Sequence, residues 1–132
     1  MYLLDTNILS VLVRDPRTPA LLGHIARVGD ENIFTSVIVA AELRYGAVKK
    51  GSERLQERID QILGALPVID FTDKMSRTYA AIRTGLEATG QPIGGNDLLI
   101  AAQALFLGSV LVTDNEREFR RVEGLRVENW LA

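Results

Sequence analysis

Short uncharged runs of mostly apolar residues recur along this chain, and longer helix-like stretches separate them. That alternation is the strongest constraint on its fold. Tyr2–Leu4, Ile33–Thr35 and Ser109–Val112 are each too short to make a helix, and Pro67–Asp70 and Arg126–Glu128 are weaker stretches of the same kind. A strand with one face in water alternates polar and apolar residues, whereas a strand covered on both faces reads as a continuous apolar run. The stretches between the runs carry helix caps and stops. Thr6 and Asn7 offer N-caps for a helix through Val13, and Thr18 precedes one reaching about Val28. Ser36 opens a helix to Lys50 that Gly51 ends, and Ser52–Ala65 is a fourth helix. Thr72 heads a long helix to about Gly90, and Asn96 heads another through Leu107 that Gly108 closes. Strands alternating with helices in this way predict the α/β class: a three-layer α/β/α domain around a central, mainly parallel sheet.

A length of 132 residues, without repeats or linkers, fits one domain spanning 1–132. No cysteine and a single histidine, His24, are present. Thiolate metal sites, a thiol nucleophile and multi-imidazole sites are therefore excluded, and any bound metal must take oxygen ligands, which points to magnesium or manganese. A net charge of −2 excludes the strongly basic surface of a non-specific nucleic-acid coat. A nucleic-acid substrate then requires a local patch or a bound cation to supply the attraction. The longest uncharged run, Leu98–Thr113, falls short of the ~20 residues that cross a bilayer. The opening MYLLD has no basic region of a secretory signal, so a cytoplasmic location without membrane contact is expected. Phosphate-loop, dinucleotide and nucleophile-elbow signatures are absent.

Four acids carry the chemistry. Asp5 follows the first strand and Asp114 follows the Val110–Val112 strand. If those strands are parallel, both acids stand at the carboxyl edge, where open α/β sheets bind ligands. Glu42 lies among apolar neighbours in VIVAAELRYGAV, and Gly46 sits one turn later on the same face, which suggests close approach by something. Asp97 opens NDLLIAAQALFLG, a helix apolar on nearly every face whose N-terminal end alone can reach solvent. Each acid taken singly has an ordinary reading as a cap, a turn residue or an exposed carboxylate. As a set they need an explanation, since two carboxylates ~4 Å apart repel by about 4 kcal/mol at an effective dielectric of ~20. No lysine or arginine directly flanks Asp5, Glu42 or Asp97, so a divalent cation is the expected neutraliser.

At these residues the chain resembles the PIN-domain ribonucleases, and within them the VapC-type toxins. The resemblance is carried by DTN at 5–7, AELRYG at 41–46, GNDLLIAAQA at 95–104 and VTDNEREF at 112–119, and it extends to GLRVENW at 124–130. It implies a small α/β/α fold and endoribonuclease activity that depends on Mg2+ or Mn2+, with structured RNA such as tRNA or ribosomal RNA loops as substrate. It also implies homodimers and hetero-oligomers with a small cognate antitoxin, promoter DNA being met only through that antitoxin. Asp5, Glu42 and Asp97 match the family's three principal acids. For the fourth position, either Asp114 contributes by a small shift, or Asn115 serves as a neutral ligand or positioner. In the expected mechanism a cation held by Asp5 and Asp97 activates water and polarises the scissile phosphate, while Glu42 holds a second metal or orients the water.

Arg14, Arg17, Arg44, Lys49 and Lys50 are candidates for an RNA approach, with a solvated helix face as the equal alternative. His24 reads as structural or exposed rather than catalytic, and Trp130 as a lid on the core. Two rival functions remain. A phospho-acceptor module would need a lysine after a late strand, and none follows Lys74. A PIN scaffold that chiefly partners an antitoxin as co-repressor would have little need of an intact acid set.

Overall fold

Each short apolar run pairs in parallel with another in the computed structural model, which describes residues 1–132. The strands are β1 (Tyr2–Leu4), β2 (Ile33–Ser36), β3 (Val68–Ile69), β4 (Val110–Val112) and β5 (Val127–Glu128). They form one sheet in the order β3-β2-β1-β4-β5, and every neighbouring pair is parallel, so the sheet is wholly rather than mainly parallel. Seven helices connect them: α1 (Thr6–Arg14), α2 (Pro19–Val28), α3 (Val37–Lys50), α4 (Glu53–Gly64), α5 (Asp73–Ala88), α6 (Gly95–Leu107) and α7 (Glu116–Phe119). The result is a three-layer α/β/α fold.

Burial explains the composition of the runs. Leu3, Leu4, Leu111 and Val112 in the two central strands are fully buried, as are Ile100, Ala101, Ala102 and Ala104 of α6. Helix α6 is apolar nearly all round because it is enclosed nearly all round. The expected stops are also present: Gly51 and Gly108 close α3 and α6 in the left-handed conformation at φ 64° and 65°. Ser36 caps α3 by accepting a 3.0 Å bond from the Ile38 N–H.

Two caps differ from expectation. Asp5, not Thr6 or Asn7, caps α1: it leaves β1 with extended backbone, and its carboxylate accepts from the Thr6 N–H at 2.8 Å. Helix α6 starts two residues early, with Gly94 at the N-cap and Asn96 exposed inside the first turn. Trp130 is fully buried, its ring stacked on His24 at 5.2 Å and tilted against Tyr2 at 5.5 Å. Its indole N–H donates to Glu128, so both His24 and Trp130 are packing residues, as expected. No helix is long and apolar enough to cross a membrane.

The sheet order determines where a site can form. From β1 the chain winds outward to β2 and β3, then returns across to β4 and β5 on the other side. The reversal opens a crevice at the carboxyl ends of β1 and β4, the position at which open α/β sheets bind ligands. Replacing Trp130 with alanine removes the plug from the far edge of this sheet. The substitution should cost about 3–5 kcal/mol of stability, read as a lowered urea midpoint by circular dichroism.

Candidate active site

The strand register places Leu4 beside Val112, so the next residues, Asp5 and Thr113, meet at the crevice. Asp5 is 4% exposed and Thr113 fully buried. The Thr113 hydroxyl donates to Asp5 Oδ2 at 2.8 Å, while Oδ1 accepts the Thr6 N–H. Asn7 ties the two strands further, donating to Thr113 Oγ1 at 3.3 Å and accepting the Asp114 N–H at 2.9 Å. Burial raises the Asp5 pKa, the bonds from Thr113 and Thr6 oppose it, and the charges of Glu42 and Glu118 add to the rise.

Glu42 reaches the same crevice from α3, where its carboxylate accepts the Thr6 hydroxyl at 2.7 Å. Asp97 arrives on the first turn of α6 and is pushed up to about 7, chiefly by burial and then by Asp5, Glu118 and Glu42. A hydrogen bond to Glu118 adds to this rise. Glu118 is lowered, because Asn115 Nδ2 donates to one of its oxygens at 2.9 Å and the Gly94 N–H to the other at 2.8 Å. Glu118 is thus favoured as the anion beside an Asp97 whose protonated form is favoured.

All five residues singled out in the sequence, Asp5, Glu42, Asp97, Asp114 and Asn115, line one cavity of about 600 Å³. Their parts differ. Asp114 is exposed and its carboxylate accepts from Asn129 at 3.0 Å. Asn115 acts through Glu118, the acid that sequence reasoning missed. Its signal was present: an Asn at the N-cap with Glu three residues on, ahead of buried Phe119, is the spacing of a capping pair.

The donor set is all oxygen, and no three acids converge closely enough to clasp an ion directly. That arrangement suits a small hard cation that keeps most of its waters and takes one or two carboxylates. Of the five candidate bases, Arg14 and Lys50 line the cavity. Arg44 pairs instead with Asp60, and Lys49 lies over the Tyr45 ring at 5.8 Å. Gly46 also lines the cavity, and a Cβ there would meet no protein atom within 4 Å. No part of the chain makes the close approach expected at this glycine; the space beside it is the cavity. Alanine at that position would gain about 1 kcal/mol of helix propensity.

The PIN domain family model matches residues 2–125. The chain is 41% identical over 132 residues to a protein named ribonuclease VapC2 from Rickettsia felis, covering 98% of each. It is 33% identical over 130 residues to a protein from Shigella flexneri named tRNA(fMet)-specific endonuclease VapC, covering 98% of this chain and 97% of that one. Among solved structures, VapBC2 from Rickettsia felis bound to a DNA fragment from its promoter superposes with a TM-score of 0.90 at 39% identity, over 98% of each chain.

The Asp97 shift has a consequence for stability. An aspartate at 3.8 when unfolded and near 7 when folded leaves the native state holding a proton that the unfolded chain releases. Stability of the metal-free protein should therefore fall as pH rises from about 4 to about 7, then level off. Asp5 acts in the same direction and Glu118 opposes it. Asp97→Asn should flatten the profile and raise the melting temperature at alkaline pH, as measured by thermal melts in EDTA. Parallel profiles for the two proteins would contradict this account.

Proposed function

This chain belongs to the PIN-domain family, and on that footing we propose that it is a divalent-metal-dependent endoribonuclease toxin neutralised by a small cognate antitoxin. Mg2+ is the proposed cofactor, with Mn2+ as a substitute. The supporting observation is the convergence of Asp5, Glu42 and Asp97 from separate elements on one cavity, with, beyond burial, the charges of Glu42 and Glu118 raising Asp5 and those of Asp5, Glu118 and Glu42 raising Asp97. Like charges crowd together in this way where a cation is to be received.

Asp5 and Asp97 are the proposed metal holders, with Glu42 holding a second cation or orienting water. When bound, the cation supplies charge neutralisation and Lewis acidity at the scissile phosphate. Asp97 offers its carboxylate fully only above about pH 7, so metal uptake is linked to proton release. Asn115 keeps Glu118 turned toward Asp97 and ionised, so that Glu118 can accept a hydrogen bond from Asp97 while Asp97 is protonated. Thr6 holds Glu42 in place. With no cysteine in the chain and His24 packed against Trp130, hydrolysis falls to a water that the acids orient.

Structured RNA is the proposed substrate class, tRNA first, in line with the name of the Shigella relative. The antitoxin, a homodimer and a toxin–antitoxin hetero-oligomer are the proposed partners, promoter DNA being met through the antitoxin. The DNA-bound Rickettsia complex favours a second reading, in which the chain serves mainly as a co-repressor scaffold.

Cleavage of purified tRNA and ribosomal RNA by the free protein, with Mg2+ and with EDTA, separates the two. The ribonuclease should cut only with metal. Asp5→Asn and Asp97→Asn should each lower the rate by on the order of 100-fold while remaining folded. Metal-independent cutting, or none at all from a folded protein, would remove the proposal.

A further inference from the structure

Two helices face each other across the cavity with matching rows. On α1, Thr6, Ser10 and Arg14 follow at four-residue spacing, and on α3 Glu42, Gly46 and Lys50 do the same; all six line the cavity. The Thr6–Glu42 bond fastens the inner ends together. Each row then passes through a small residue and finishes on a cation. Lys50 stands ~12 Å along the α3 axis from Glu42, at ~1.5 Å of rise per residue, which is further than one internucleotide step.

Neither cation is neutralised by the protein. The four ion pairs of the chain involve Arg27, Arg44, Arg83 and Arg120, and Arg14 bonds only to the carbonyl of Ser10 in its own helix. Gly46 supports the same conclusion. Its backbone is ordinary helix without positive φ, and nothing packs against it. Neither conformation nor packing accounts for a glycine there, so what the residue provides is the space between Glu42 and Lys50.

We propose that this outer half of the cavity is the seat of the substrate strand: Ser10 and Gly46 form a passage, and Arg14 and Lys50 grip a second phosphate beyond the one at the acids. The inference rests on the ribonuclease reading and adds to it the path of the RNA and the residues that hold it. A polyanion suits the groove because the acid end takes a phosphate through a cation and the other end takes one directly.

Binding of a fluorescein-labelled single-stranded RNA, followed by anisotropy in Ca2+ across a salt series, tests the groove apart from cleavage. The Arg14→Gln/Lys50→Gln protein should bind about tenfold more weakly. Its plot of log affinity against log salt should be shallower by about 0.7, the change expected when one phosphate of a single strand is no longer neutralised. In cleavage with Mg2+, KM should rise while kcat stays within about twofold. Gly46→Ala and Gly46→Leu should both raise the melting temperature by a few degrees yet weaken RNA binding, the leucine more than the alanine. A merely structural glycine would not pair greater stability with poorer binding.

Unchanged affinity and salt slope in the double variant overturn the proposal, as does wild-type binding by Gly46→Leu. If the substitutions loosen only a co-purified antitoxin and leave RNA binding intact, the groove belongs to a protein and the proposal likewise falls. Binding that depends on these residues in a protein that cuts no RNA would leave the groove standing and remove the ribonuclease reading.

Discussion

The pairing of β1 with β4 is the constraint on which the rest of the molecule depends. It brings Asp5 against Thr113, residues 108 apart in the chain, through a buried 2.8 Å hydrogen bond. The same carboxylate caps α1 through the Thr6 N–H, and Thr6 in turn holds Glu42. Asp5 therefore has structural and chemical duties at once. A 4% exposed acid would be costly without partners, and here both of its oxygens have them.

Around that anchor the fold gathers negative charge that it does not itself balance. Asp97 is lifted to about 7 by burial and by neighbouring acids, while Glu118 beside it is lowered. Bonds from Thr6, Asn115 and the Gly94 backbone hold the carboxylates in place against their mutual repulsion. The fold thus maintains a hollow whose electrostatics are relieved by a proton or by a cation. The two unneutralised bases at its outer end extend the same field into a gradient from negative to positive along one groove.

Much of this was legible in the sequence, because burial leaves a plain mark. Tyr2–Leu4 and Val110–Val112 had to be inner strands, since nothing else uses short uncharged runs so economically, and Ser36, Gly51 and Gly108 mark helix ends by their own chemistry. Asp5, Glu42 and Asp97 stood out by contrast with apolar surroundings. What stayed hidden depended on side-chain direction. Asp114 follows its strand as Asp5 does, yet its carboxylate turns to Asn129. Glu118 reads as one more surface charge in EREF until α7 is laid against the loop before α6. Thr6 and Asn7 look as good a cap as Asp5, and only the extended backbone leaving β1 decides among them.

The far-flung partnership of β1 also imposes an order of events during synthesis. The strand made first is the central one, and its neighbour β4 is encoded more than a hundred residues later. A nascent or interrupted polypeptide lacking Val110–Val112 keeps β2 beside β1 but leaves the other side of Asp5 open, and it lacks Thr113 and Glu118 as well. The hollow is therefore finished only when β4 and α7 have been made, late in the order of synthesis.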